Sequence, residues 1–404
     1  MSPLIIVFVT VFIDLLGFGI IIPLMPFYAT HFGASAFQVG MLATSFSLMQ
    51  FLFAPLWGRW SDVVGRRPII LIGLLGSAVS YLAFGLAHSL TLLFVSRCLA
   101  GIAGANIPTA QAYIADSTTP ENRAKGMGMV GAAFGLGFIF GPALGGFLSQ
   151  WGYQAPALFA AGLSLLNFLA ALVLLPESLP PERRSAARRR SRVEVFRHAL
   201  ARPRLPTVLA VFFLIVSAFA SFESMFALYS QARFGFDTVT IGFLFAGVGV
   251  ILAIVQGLLV GRVVKRLGEH RLVPAAIALL TIGLALVSVA QSVPALAVGC
   301  AIIAVGMGFQ SPSMLSVISQ LSDPADQGSM LGVSQSLGSL ARIVGPLWGG
   351  FVFDRFGHAA PFLSAAVVMS IACALSLAAF RGYRPAHRAG VATEPTGGVM
   401  NVSG

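Results

Sequence analysis

GPALGGF, residues 141–147, returns as GPLWGGF at residues 345–351, 204 positions further along a chain of 404. A second pair keeps nearly the same step. Gly58-Arg59 followed by Gly65 recurs as Gly261-Arg262 followed by Gly268, an offset of 203. Half the chain is 202 residues, so the simplest account is duplication of one unit of about that length. Both copies of the glycine motif lie in apolar runs of roughly 20 residues, the length needed to cross a hydrocarbon core about 30 Å thick. Such runs recur from end to end. The chain is 57% hydrophobic and 10% charged, whereas a soluble domain covers itself with about 25% charged residues. A multispanning membrane protein is the class that fits, and the net charge of +11 is read first as a topology signal and not as a nucleic-acid surface.

Apolar windows between charged or Pro/Gly-rich breaks predict twelve spans, near residues 4–28, 37–57, 68–87, 90–112, 126–148, 155–175, 205–229, 239–260, 273–290, 294–319, 328–353 and 359–380. Lipid offers backbone groups no partners, so all twelve are expected to be helices, giving an all-α membrane protein of two pseudo-symmetric six-helix bundles. The predicted division is an N-terminal bundle over 1–175, a basic linker over 176–204, a C-terminal bundle over 205–380 and a disordered tail over 381–404. Twenty-one Lys and Arg residues fall in the loops and tail that share a face with the termini, against Arg233 and Arg355 opposite. The positive-inside rule therefore places both termini in the cytoplasm.

The first run carries Asp14, Pro23 and Pro26 and has neither a basic lead nor a small-residue cleavage site, so it reads as a span and not as a signal peptide. Cys98, Cys300 and Cys373 are dispersed and the six histidines never pair, so neither disulfide nor metal site is expected. No G-x-x-x-x-G-K-[ST] loop is present, which leaves no phosphate cradle for ATP, and no cofactor is expected. The Arg-rich linker suits anionic lipid headgroups, and equally a plain orientation signal and tether.

Four ionisable residues lie inside spans: Asp14, Arg97, Glu223 and Arg342. Each costs about 2.5–3.5 kcal/mol at the bilayer centre on insertion scales, which makes each a functional candidate. Asp14 shares a helix face with Gly17 and Phe18, and Glu223, on the duplicate of that helix, with Phe219 and Phe226. A carboxyl group whose surroundings alternate between apolar burial and a facing arginine alternately holds and releases a proton. Glu223 is the expected proton carrier or cationic-substrate anchor, Asp14 its partner and Arg97 the counter-charge. Asp14 suits a helix-packing hydrogen bond as well, Arg97 an interhelical clamp, and Arg342 a structural or snorkelling role at least as well as a functional one. Gly137, Gly141 and Gly145, with Pro142 and Gly146, form a smooth stripe where another helix can approach. Among the uncharged polar residues, Asn106 and Gln310 are candidates to hydrogen-bond a substrate, although such residues more often serve helix contacts.

These motifs together resemble the major facilitator superfamily, in the drug/proton antiporter group that includes the tetracycline efflux proteins. The resemblance rests on Gly58-Arg59-x-x-Asp62-x-x-Gly65-Arg66-Arg67, Asp14-x-x-Gly17-x-Gly19-x-x-x-Pro23-x-x-Pro26, Arg97-x-x-x-Gly101-x-x-Gly104 and Gly137-x-x-x-Gly141-Pro142-x-x-Gly145-Gly146. It implies a proton-coupled exporter in a bacterial inner membrane, working as a monomer by alternating access. It also implies a cytoplasmic gate in which Asp62 sits at the start of span eleven near Gly328, where unpaired N–H groups favour an anion, while Arg66 reaches Asp116. The glycine stripe of span five tilts the expectation toward export. Tetracycline efflux proteins typically add an acid in span three, a histidine in span eight and an acid in span nine; here those places hold Ser80, Leu252 and Leu280. A hydrophobic, neutral or cationic substrate is therefore expected. The rivals are an importer or symporter of a sugar or organic metabolite, and a non-transporting scaffold or receptor on the same fold.

Overall fold

A computed structural model describes residues 3–105, 107–118, 120–184, 202–322 and 327–381. Among them there is no strand. The spans, numbered in chain order, are Pro3–His31, Ala36–Val64, Arg66–Gly85, Leu90–Gly104 with Ile107–Asp116, Pro120–Leu148 and Gln154–Leu174 in the first set. The second set is Leu205–Phe234, Thr238–Ile254 with Val260–Leu267, Glu269–Val289, Val293–Gln320, Gln327–Phe356 and Ala360–Phe380. Eleven are long and apolar enough to cross a membrane. Span 11, at 30 residues, carries Arg342 among glycines and serines and lies against spans 2 and 7. Leu166, Val173, Phe243, Ile282 and Leu377 are exposed on the outside of the bundle, where lipid tails take the place of water.

The duplication extends to the turns and caps. Gly33 and Gly235 (φ +77° and +69°), Gly65 and Gly268 (+114° and +76°), and Gly152 and Gly357 (+99° and +94°) occupy matching bends between spans, each in a region where L side chains are strained. Ser35 and Asp237 cap spans 2 and 8, and Ser89 and Ser292 cap spans 4 and 10, by accepting from the backbone N–H three residues on. Tyr28 donates to the Ala87 carbonyl and Tyr229 to that of Val287, both at 2.6 Å.

Three local features differ from the sequence expectation. The charged stretches 58–67 and 261–272 are not loops: span 2 runs to Val64 and span 3 starts at Arg66, leaving only Gly65 between them, and Gly268 alone separates spans 8 and 9. Hydropathy stops at the bilayer edge, but helical hydrogen bonding continues beyond it. Span 4 is interrupted after Gly104 instead of running unbroken to 112. Pro108 has no N–H for the carbonyl four residues earlier, and Gln50 of span 2 donates to that carbonyl, Gly104 O, at 3.2 Å. Trp57 donates to Ile102 O at 2.7 Å. In span 8, Val255–Leu259 forms a π-helical turn.

Between the two sets, contact is made chiefly by span 2 against span 11 and span 5 against span 8. Among the described residues the hydrogen bonds joining them are Thr44 to Ile343 O at 3.0 Å, near mid-span, and, at the end opposite the termini, Ser149 with Thr238 at 2.6 Å and Asp354 with the N–H groups of Ala36 and Phe37. Toward the face carrying the termini, Gly58, Gly131, Gly135, Gly257, Gly261 and Gly332 of the same four spans have no heavy atom within 4 Å of a would-be Cβ among the described residues. The two sets thus meet at one end and diverge toward the other.

Candidate functional site

Asp14 and Glu223 are both partly exposed on spans 1 and 7. Asp14 Oδ1 accepts from the Ser77 hydroxyl of span 3 at 2.9 Å. The Tyr81 ring lies one turn further along, against Gly17, where a Cβ would come within 2.8 Å of Tyr81 Cε2. Arg97 is 3% exposed, with its guanidinium carbon 4.8 Å above the Phe84 ring, and its Nε and Nη2 have no hydrogen-bond partner among the described residues. Tyr81 lies in the fields of both Asp14 and Arg97. This gives a polar strand through spans 1, 3 and 4 in otherwise apolar packing.

Glu223 lies on the matching helix of the second set. Arg342 of span 11, in the same set, lies within electrostatic reach of Glu223, and among the described residues the two form no ion pair within 4.0 Å. Span 11 lies close along span 7 because Gly345 packs on the Ser217 backbone and Gly349 on Ser221 and Met225, and this places Arg342 within the C-terminal set beside Glu223. The aromatic surroundings are a chain of Phe219, Phe222, Phe226 and Phe245 on spans 7 and 8, and Phe18 with Phe46 and Phe138 joining spans 1, 2 and 5. Gln310 is 2% exposed, with Nε2 unpartnered among the described residues, and Asn106 lies outside them. The two sets thus each carry one intramembrane carboxylate, Asp14 and Glu223, close to aromatic side chains. Among the described residues no group of His, Cys, Asp and Glu could hold a metal ion.

At the face of the termini, Arg66 is the centre of a compact cluster. Its Nη1 donates to Asp62 and Ser61, each at 2.6 Å, and its Nε to Asp116 at 3.1 Å. Glu177, just beyond span 6, accepts from the backbone N–H groups of Arg66 (2.9 Å) and Arg67 (3.3 Å) at the start of span 3, and from Ser178 and Leu179 at 3.0 Å. A carboxylate there meets the positive end of the helix dipole. A Cβ on Gly65 would collide with Glu177 Oε2, so this glycine is required by space as well as by φ. Arg67 donates to Leu172 O at 2.6 Å and Tyr113 to Pro176 O at 2.9 Å, fastening the same segment. In the second set, Glu269 takes the place of Arg66 and accepts from Gln320 and Ser316 at 3.0 Å. The side chains of 323–329 lie outside the described residues, and with them the expected seat of Asp62 near Gly328.

The glycine stripe separates into two surfaces. Gly137, Gly141 and Gly145 receive span 1 at Leu15, Gly19 and Ile20. Gly146 faces the other set: a Cβ on Gly242 of span 8 would lie 2.5 Å from Pro142 O and 2.8 Å from Gly146 Cα. The second copy makes the equivalent crossing. A Cβ on Gly40 of span 2 would strike the Pro346 carbonyl, and one on Gly350 would lie 2.5 Å from Ala36 O. Sequence reading missed Gly40, Gly242, Ser77, Tyr81, Glu177 and Asp354. Gly40 and Gly242 were detectable, since they are 202 residues apart and each stands five residues after its cap.

The sequence profile of the Major Facilitator Superfamily matches residues 7–285 and 241–399. Multidrug resistance protein 2 of Bacillus subtilis is 34% identical over 91% of this chain and 92% of its own length. The class E tetracycline resistance protein of Escherichia coli is 34% identical over 86% of each chain. The crystal structure of the human organic anion transporter MFSD10 superposes with a TM-score of 0.72 at 28% identity, covering 93% of this chain and 99% of that one. A twelve-span bundle with an internal repeat, matched over nearly its whole length by these proteins, is a multi-pass membrane transporter, and the chain belongs to the major facilitator superfamily.

Proposed function

We propose that the protein is a proton-coupled exporter of hydrophobic or cationic small molecules, a monomer in a bacterial inner membrane with both termini in the cytoplasm. Its moving units are residues 1–175 and 205–380, joined by the basic linker. The observation that carries the reading is Glu223 held beside Arg342 in an aromatic interior. A carboxylate so placed changes its proton affinity when rocking alters its burial or its distance from the guanidinium. Asp14, with Ser77 and Tyr81, is the corresponding group of the first unit. Relatives named for multidrug and tetracycline resistance support export. The divergence of the two sets toward the terminal face supports a cytoplasm-open state, and Asp62, Arg66, Arg67, Asp116, Gly58 and Gly65 form the gate on that side.

The test is uptake of a lipophilic cation into everted vesicles, whose outer face is the cytoplasmic one, with and without a proton gradient. Glu223→Gln and Asp14→Asn each lower gradient-driven movement at least tenfold while expression is retained. Undiminished movement in the double variant refutes the proposed coupling. A second reading, an anionic substrate, has two supports: the name of MFSD10, and the buried Arg97 guanidinium with two nitrogens unpartnered among the described residues, which favours an anion or polar oxygen beside it. Competition between lipophilic cations and organic carboxylates in the same vesicles separates the two.

A further inference from the structure

Spans 2 and 11 run antiparallel, and at the face opposite the termini the end of one meets the start of the other. Asp354, in the last turn of span 11, accepts from the N–H of Ala36 at 3.1 Å through Oδ1 and from the N–H of Phe37 at 2.9 Å through Oδ2. These are the first two helical residues of span 2, whose own cap, Ser35, satisfies the N–H of Gln38. One carboxylate from the second set therefore takes two orphan donors of a helix in the first set and lies at its positive end. Asp354-x-x-Gly357 also repeats the pattern of Asp62-x-x-Gly65 at the far end of span 2, each followed three residues on by a glycine at positive φ. The same helix pair thus carries an Asp-x-x-Gly at both of its ends.

We propose that Asp354 is a latch: it holds the face opposite the termini closed, and its two bonds to span 2 must break each time that face opens. This rests on the alternating-access reading above. Among the described residues the span 5 to span 8 crossing has the neutral Ser149–Thr238 pair at the same level, so the charged restraint described lies on one side of the interface. Asp354 is a positioning residue, acting on the balance between the two facing states without touching substrate.

The test is a spin-label distance between Gln150→Cys and Gln291→Cys, exposed positions on the two sets at that face, in the full chain with its native cysteines replaced. Asp354→Ala is expected to move the distribution toward the longer distance, enlarging the open population about tenfold relative to the closed one, as loss of a helix cap does. Asp354→Asn, which keeps an acceptor oxygen, falls between. Unchanged distributions in both variants overturn the latch. Because distance and transport are measured separately, a protein that transports nothing yet shows the shift contradicts the transport reading and leaves the latch standing.

Discussion

Placing a single methyl group on Gly242 tests whether the closure opposite the termini depends on bare backbone. In the closed crossing that Cβ would be 2.5 Å from Pro142 O and 2.8 Å from Gly146 Cα, where carbon contacts settle at about 3.5–4.0 Å. Spans 5 and 8 would have to part by roughly 1 Å. Overpacking of this kind costs about 1–3 kcal/mol. It is relieved in the conformation where the two helices separate, so Gly242→Ala shifts the equilibrium toward the state open at that face by about 5- to 150-fold. The control is Gly257→Ala on the same span, where a Cβ meets nothing within 4 Å. The assay is the Gln150/Gln291 spin-label distance together with the transport rate. Gly242→Ala is expected to lengthen the distance and slow turnover, whereas Gly257→Ala leaves both alone. Equal behaviour of the two variants would refute the close-packing argument.

Two further outcomes follow from the caps and the charged cluster. Arg66→Ala leaves Asp62 and Asp116 without their shared cation and should cost about 3 kcal/mol in unfolding free energy; Arg66→Lys recovers little of it, since a point charge does not reproduce donation from Nε and Nη1 to two carboxylates, and thermal melting in detergent measures both. The Thr240 hydroxyl and backbone N–H hold the Asp237 carboxyl below the usual range, so its folded value lies under the unfolded one of about 3.9. Its stabilisation of the span 8 N-terminus is complete above that unfolded value and disappears as pH falls through the folded one; the difference in amide exchange at Ile241 between wild type and Asp237→Ala should persist at neutral pH and fade in strong acid.

The fold was legible because duplicated motifs and apolar runs both report on long-range architecture, one through a common offset and the other through the thickness of lipid. GPALGGF and GPLWGGF pointed to packing surfaces, but the sequence did not reveal that one face of each takes span 1 or 7 and the other the opposite set. Partners were less legible than positions. Arg342 was recognised as an intramembrane charge, yet its approach to Glu223 depends on where Gly345 and Gly349 let span 11 lie. Glu177 and Asp354 escaped notice because each caps a helix remote in sequence, 111 and 318 residues away, and a single carboxylate near a bilayer edge looks like any other surface charge. Short loops were overestimated since charged side chains mark the membrane boundary and not the helix end.

The Glu177 clasp bears on where the first unit ends. Glu177 accepts from the start of span 3 and pairs with Arg184 at 3.8 Å, while Arg184 donates to Leu179 O. The stretch from the end of span 6 to Arg184 is thereby folded back onto span 3, and whatever motion carries that unit carries these residues with it.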